Sequence, residues 1–585
     1  MEKEVYAPLS PALKELLFAL VPLERVSIEQ ADFLYGGDTR GLLAELTRKN
    51  SFVFFDAESG IYSPHSIFRQ YVLELFQRLP EDRRRAAHRK CGDWFMRVGE
   101  VASAMEHYRT AGDFELALTA LESDMGRHFV TERAGFFTEM FKACPEEILE
   151  RHLGAAFKYA IAAFSAADFP AFGAQVGWLA QKCAALPPGK DADAWRGELE
   201  FLLSLAAFND IEAMSAHHRR ANALLGRPTG LFGPDSPWTL GSPSVLFMFH
   251  RESGTLADEL RQMRECLPHY YTLARHHGAG GEHLMEAEAL YNAGQFTKAE
   301  ISCHWGQSMA AEHGQLGNVL CALFLRMRLA LAAGDFGKAR NLIVTMRGLI
   351  TRSRDYFLLH TVDLCEGWLY AALGRTGELP AWLLSELSEG SRLYAFARGF
   401  YYIVHGRALL LAGEYARVIG LFGHLLDAGL FQKNLLFSLH GHIYLAAAHQ
   451  SLGHTAPALE ALQKALDAAL PDDLFMPFAE NLDLLGAVFQ DACRENPAAR
   501  DTVCSLTAKL EACKAAALRE LQTETPAFGL SAREYETARL AAQGLSNQEI
   551  AERLFVSVNT VKTHLKTAYR KTGASSRPAL KKMLR

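Results

Sequence analysis

Apolar residues recur at helical spacing along almost the whole chain, and one short stretch departs from that pattern. Near the N-terminus, PALKELLFAL, GLLAELTRK and FRQYVLELFQRL each place apolar side chains three and four residues apart, which predicts helices. Between the second and third lies SFVFFDAESGIYSPH. There an apolar run at 52–55 precedes a turn-rich 56–60 and a second short run at Ile61 and Tyr62. Two apolar runs separated by turn residues predict a β-hairpin. A hairpin among helices reads as the wing of a winged helix over residues 1–90, serving as a packing or relay domain.

From residue 91 to 521 the dominant feature is repetition. A Gly-polar-(Phe/Tyr/Thr) turn recurs at Gly294, Gly334, Gly374, Gly413 and Gly453, at intervals of 40, 40, 39 and 40 residues. Earlier copies stand at Gly112 and, more weakly, Gly99. Five residues after the glycine comes a small residue in Ala104, Ala117, Ala299, Ala339 and Ala458; seven before it stand Ala287, Gly367, Gly406 and Ala446. Small residues at fixed helical offsets let paired helices approach closely, and the glycine closes the turn between them. These are tetratricopeptide-like hairpins with a long period, stacked as a superhelix. The register fades after Pro471. Residues 522–529, QTETPAFG, are polar and carry Pro526 and Gly529, the signature of a linker.

Residues 530–585 predict three helices separated by two tight breaks. Ser531 with Glu534, and Ser546 with Glu549, form capping boxes. Gly544 ends the first helix, and Ile550, Ala551 and Leu554 give the second its apolar face. The third helix, about 558–571, is divided. Val558, Val561, Leu565, Ala568 and Thr572 face inward, while Asn559, Lys562, Thr563, Lys566 and Arg570 line the opposite side. A helix about 20 Å long fits along a DNA major groove, where lysine reaches guanine and a threonine methyl contacts thymine. Asn547, Thr560 and Lys571 lie toward helix ends, where phosphate contacts are expected.

Charge sharpens this picture. The net charge of −6 conceals an asymmetry: eleven basic and four acidic side chains from Leu530 onward give that segment +7 and leave −13 for the remainder. A basic tail domain on an acidic body is the footprint of a DNA binder. Ordinary composition, at 49% hydrophobic and 22% charged, excludes disordered and fibrous classes. No apolar run reaches the roughly 18–20 residues of a membrane span. Ten single cysteines without a C-x-x-C pair suit reduced thiols in the cytoplasm, not a disulfide framework or zinc site. The clusters His276, His277, His283 and His440, His442, His449 lack metal-ligand spacing. Arg83, Arg84, Arg85, Arg89 and Lys90 read as a solvated helix face. No catalytic constellation is present, so neither an enzyme nor a cofactor is expected.

The runs L-S-A-R-E, G-L-S-N-Q-E-I-A, L-F-V-S-V-N-T-V-K-T-H and K-T-G-A-S-S-R resemble the LuxR/GerE-type helix-turn-helix along its full length. The resemblance implies that Lys562, Thr563 and Lys566 read bases. It also implies that the final helix, from Arg577, pairs two domains on an inverted-repeat operator in duplex DNA, with RNA polymerase as a further partner. The order winged helix, long-period superhelix and LuxR-type domain is similar to that of MalT-like activators, and YSPHSIFRQY, AMEHYRTAGDFELAL and MPFAEN resemble pieces of them. Those activators place a nucleotide-binding ATPase domain before the winged helix. No G-x-x-x-x-G-K-[ST] occurs in this sequence, and PPGKD at 187–191 reads as an interhelix loop. Either the switch has been lost or the sequence is part of a longer chain.

The expected fold is therefore all-α: a small winged-helix domain, a helical superhelix and a helix-turn-helix bundle. Two functions fit it: a DNA-binding transcription regulator whose superhelix senses a small-molecule effector or partner protein, and an interaction scaffold with a vestigial DNA-binding domain. The intact recognition face favours the first. Six residues before three of the repeat glycines stand Arg328, Trp368 and Arg407, with Phe324 and Phe400 beside them. In one register they predict a concave strip suited to an anionic or sugar-like molecule or an acidic peptide. The alternative places Trp368 in interhelix core and pairs the arginines with local carboxylates such as Glu366. Without a phosphate-cradling loop, the chain is expected to show no saturable binding of a labelled ATP analogue at micromolar concentration; equilibrium titration checks this.

Overall fold

The computed structural model describes residues 2–49, 52–57, 59–124, 134–234, 236–387, 393–429, 434–523, 530, 532–554, 556–574 and 576–583. The fold is all-α apart from three short strands among these residues. The chain forms two compact units: Met1–Ser236 with Cys266–His277, and Pro237–Glu265 with Gly278–Arg585. The division falls inside the span expected to be one superhelix, where a Gly- and Pro-rich stretch carries no helix between Ile211–Leu225 and Val245–Phe249.

In the first unit the hairpin forms as expected, with strands Val53–Asp56 and Ile61–Pro64 paired antiparallel, Phe55 opposite Tyr62. A third strand, Val26–Ser27, pairs on the other edge of Ile61–Pro64. It is too short for any alternation to announce it. Helices Pro11–Leu20, Ile28–Tyr35, Arg40–Lys49 and Ser66–Gln77 surround the sheet, the first two capped by the Ser10 and Ser27 hydroxyls. Leu13, Leu16, Leu43, Leu46, Tyr62, Phe68 and Val72 form the core. Cys91 and Trp94 of the helix Glu81–Arg97 join it, so the domain's packing extends past residue 90. Helical hairpins follow, closed by Gly99 and Gly112 at positive φ, with Ala104 and Ala117 fully buried.

The second unit holds the regular repeats. The five turn glycines all have φ between 70° and 79°, a left-handed conformation that a side chain disfavours. Four of them join Gly281–Asn292 to Phe296–Glu312, Leu316–Ala332 to Phe336–Ser353, Arg398–Leu411 to Tyr415–Asp427, and Leu435–Ser451 to Thr455–Ala469. Ala287, Ala299, Ala339, Ala446 and Ala458 are fully buried. A Cβ on Gly406 would collide with the Phe422 ring and lie 2.9 Å from Tyr444. One repeat differs from expectation. After Leu359–Ala372 and Gly374 the described residues form no second helix, only the 3₁₀ turns Thr376–Glu378 and Ala381–Leu384. Pro380 supplies no N–H and disfavours helix at the residue before it. Leu383, fully buried, packs into the space left by Gly367 and stands in for the missing helix.

Beyond the repeats the chain folds back. Short turns Met476–Ala479 and Leu482–Leu485 lead through Ala487–Ala492 to a long helix, Pro497–Thr523. That helix lies across the repeat turns: Leu506 packs on Gly294, and the Cys513 thiol donates to the Ala332 carbonyl at 3.2 Å beside Gly334. Of the expected linker, residues 524–529 lie outside the described residues. Helices Ala532–Ala542, Asn547–Leu554, Val558–Thr572 and Arg577–Met583 complete the chain. No helix among the described residues is long and apolar enough to cross a membrane.

Close helix approach and turn geometry are separable. Gly406→Ala is expected to destabilise the second unit by about 1–3 kcal/mol through overpacking. Gly413→Ala, at φ 77° with open space around it, should cost about 1 kcal/mol through backbone strain alone. Urea unfolding of the two variants checks the order.

Candidate DNA-recognition face and repeat cavity

The helix Val558–Thr572 begins where the Ser557 hydroxyl accepts from the Thr560 N–H at 3.0 Å, and ends at Gly573 in the left-handed region. Its buried residues Val561 and Leu565 pack on Leu540, Ala541, Ile550, Ala551 and Leu554. Ala568 joins Leu530, Ala538, Ala574 and Leu580 in a second cluster. These cores hold the opposite face outward: Asn559, Lys562, Thr563, Lys566, Arg570 and Lys571 are all exposed, and Thr560 is half-buried. Among the described residues no carboxylate pairs with Lys562, Lys566 or Arg570. The Thr563 hydroxyl donates to the Asn559 carbonyl at 2.9 Å, leaving its methyl as an apolar contact group.

Two residues expected at phosphates have partners within the domain. Asn547 Oδ1 accepts from Arg577 Nη2 at 2.6 Å, while Arg577 Nη1 donates to the Leu545 carbonyl, so the last helix clamps the turn before the second. Lys571 Nζ meets Glu534 Oε2 at 2.6 Å and ties the recognition helix to the first helix. The capping box of Ser546 and Glu549 forms with both bonds, at 2.6 and 3.2 Å. Ser531, of the other box, lies outside the described residues.

The structure brings the five residues of the expected strip into one neighbourhood but not onto an open surface. Phe324 is core, 2% exposed, edge-on to both Trp368 and Phe400 with ring centroids 5.7 and 5.6 Å away. Arg407 is buried: it donates to the Ala371 carbonyl at 3.1 Å, to Asn481, and approaches Asp483 at 3.4 Å. Arg328 lies over Tyr291 and Trp368, 4.2 and 5.0 Å from their ring centres, and pairs with Glu480 Oε1 at 3.1 Å. The carboxylates come from the segment that folds back after the repeats. Glu366 and Asp363 are taken by Arg347 instead. The residues missed, Glu480, Asn481 and Asp483, follow the apolar run MPFA; an acid and an amide directly after such a run mark chain that buries polar groups against partners, while Asp483 stays exposed.

Three small cavities, each with room for about one water molecule, meet here. One is lined by Ser244, Glu288, Arg328, Trp368, Phe400 and His440. A second is lined by Trp368, Arg407, His440, Glu480 and Asn481. The third touches Tyr291, Arg328, Trp368, Glu480 and Lys514. Trp368 borders all three. Two buried polar atoms at this junction, Arg328 Nε and His440 Nδ1, find no hydrogen-bond partner among the described residues. Burial holds the His440 imidazole neutral, with its pKa lowered to about 3. Burial also raises Glu288 to about 7, restrained by the Ser244 hydroxyl and Val245 N–H that donate to it. Among the described residues no three His, Cys, Asp or Glu side chains gather as a metal site.

The Glu288 shift has a measurable sign. Between pH 4.5 and about 7 the unfolded chain gives up this proton before the folded one does, so stability falls as pH rises through that window. Glu288→Gln, which mimics the protonated acid, is expected to remove up to about 3 kcal/mol of that fall. Thermal melting against pH checks it.

Comparison with known proteins agrees with this geometry. Residues 529–584 match the family described as bacterial regulatory proteins, luxR family, and residues 2–84 match the MalT winged helix domain. The nitrate/nitrite response regulator protein NarL of Escherichia coli is 33% identical over 140 residues, 24% of this chain and 58% of that protein. An HTH-type transcriptional regulator of Mycobacterium bovis is 47% identical over 62 residues, 10% of this chain. The match spans only 7% of that relative's length. The oxygen regulatory protein NreC of Staphylococcus aureus is 48% identical over 58 residues, 10% of this chain and 27% of its own. The crystal structure of a signal transduction ATPase with a tetratricopeptide repeat sensor, from Pyrococcus horikoshii, aligns over 81% of this chain and 66% of its own. Its TM-score is 0.33, at 14% identity. At its two ends, then, this chain carries a MalT-type winged helix and a luxR-family DNA-binding domain.

Proposed function

We propose that the chain is a sequence-specific transcription regulator whose helical body senses a small-molecule effector or partner protein and reports it to the DNA-binding domain. The observation that supports it best is the recognition helix. Lys562, Lys566 and Arg570 stand exposed on one face without carboxylate partners among the described residues, above an intact apolar face that fixes their direction. A domain kept only for packing has no need of unpaired cations at groove-reading spacing. The sensing half is supported by the cavity around Trp368, where buried polar atoms lack partners, and by the long helix that runs from the repeats toward residues 524–529. Binding to an inverted repeat as a dimer, with RNA polymerase recruited beside it, belongs to the same proposal.

The domain carries two hydrophobic clusters of its own, so residues 526–585 are expected to fold and bind duplex DNA without the body. Selection from a random oligonucleotide pool gives the operator. Lys562→Ala and Lys566→Ala should then each lose about 1–3 kcal/mol of discrimination against wrong bases. Lys571→Ala, which breaks the pair with Glu534, should leave base discrimination intact and lower the melting temperature of the domain. An operator preference unchanged in both base-face variants would sink the assignment.

A further inference from the structure

The buried Arg328 occupies an unusual setting. Its guanidinium is enclosed by the rings of Tyr291, Trp368 and Phe324; Glu480 pairs with it, and the buried Glu288 lies near enough to act on its charge. Glu480 also accepts from the Tyr291 hydroxyl at 2.8 Å. A buried ion pair is a poor device for stability, since well-packed apolar residues serve a fold as well or better. Glu480 does not come from the repeats that build the cage. It sits at the end of the short turn Met476–Ala479, whose Met476 and Phe478 are fully buried and whose start is anchored by the Phe475 N–H donating to the Asn292 carbonyl at 2.9 Å. The cage belongs to the repeat array, and its anion arrives from a separate segment.

We propose that Glu480 is an internal stand-in for a ligand, and that the cage around Arg328 is a binding site for a small monocarboxylate. This rests on the sensing reading given above and names its ligand class. Three features select the chemistry. The guanidinium fork and the tyrosine hydroxyl already hold a carboxylate, so the site's donors are set for one. Arg328 Nε and the neutral His440 Nδ1 are buried without partners among the described residues beside the cavity lined by Ser244, Glu288 and Trp368, and they offer polar contacts to a ligand that Glu480, reaching from the far side, does not use. Trp368, Phe247 and Phe400 supply flat walls for that body. Glu288, bordering the same cavity, counts against a multiply charged anion such as phosphate, which would meet its carboxyl. Loss of Glu480 from the cage would join the cavities that it now lines, and would leave Arg328 and Tyr291 without the carboxylate they now hold.

A tethered carboxylate competes at a local concentration on the order of millimolar, so its removal should unmask affinity for a free one. The test uses the full chain, propionate as the probe because it reproduces the Glu480 side chain, and propionamide as its uncharged counterpart. Calorimetric titration of Glu480→Ala is expected to show propionate bound about tenfold or more tighter than by the unaltered chain. Propionamide should show no such gain, and Arg328→Gln added to Glu480→Ala should abolish it. Glu480→Gln, which retains a partner for Tyr291 while losing the charge, gives the same comparison if the alanine variant does not fold. Equal binding of propionate and propionamide, or no gain in either Glu480 variant, overturns the proposal. Operator affinity measured on the same samples separates the two readings. Propionate capture that leaves operator affinity unchanged keeps the carboxylate site and overturns sensing.

Discussion

The second unit depends on how closely its helices approach. Where a small residue stands at each crossing, the helix axes draw together until no side chain fits between them, and everything larger is displaced to the two faces of the stack. Gly367, Gly406 and the fully buried alanines at equivalent positions set that distance. The glycine turns fix the direction of each return. Because the period is nearly constant, the same offset from successive glycines falls in one region of the fold, and this is how Arg328, Trp368 and Arg407 come near one another across 80 residues of chain. The repeat thus works as a coordinate system: a residue's offset from its glycine states its depth in the stack.

That regularity is also what made the structure legible. The turn glycines, the small residues at fixed offsets, the hairpin at 52–64 and the two faces of the recognition helix all follow from local spacing, and all appear where the spacing puts them. What escaped was decided by distant chain. The Val26–Ser27 strand exists only because Ile61–Pro64 offers an edge. The repeat at Gly374 loses its second helix to Pro380, a local signal outweighed in reading by the strength of the period. Arg328 and Arg407 were placed in the right neighbourhood but on an open surface, because their partners lie 152 and 76 residues further on, in a segment with no repeat to index it. Offsets locate residues within the array; they carry no information about what later folds over it.

The DNA-binding domain solves a different problem with fewer parts. Its recognition face must be rigid yet unencumbered, and its internal bonds lie away from the base-reading positions. Arg577 clamps the turn through Leu545 and Asn547, and Lys571 braces the first helix through Glu534, while Lys562 and Lys566 remain unpaired among the described residues. Lys571 and Arg577 serve the fold, while Lys562, Lys566 and Arg570 are left for a partner.

The shortened repeat after Gly374 has a consequence for how the array yields under load. In a stack where each unit touches only its neighbours, cooperativity is transmitted interface by interface. Among the described residues, two 3₁₀ turns with the buried Leu379, Leu383 and Leu393 stand in place of a continuous second helix. The array is therefore mechanically two blocks joined at a softer seam, with Trp368 on one side and Phe400 on the other. Opening, proteolytic nicking and amide exchange should all begin at that seam and spread outward, leaving the hairpins on either side as separate cooperative bodies.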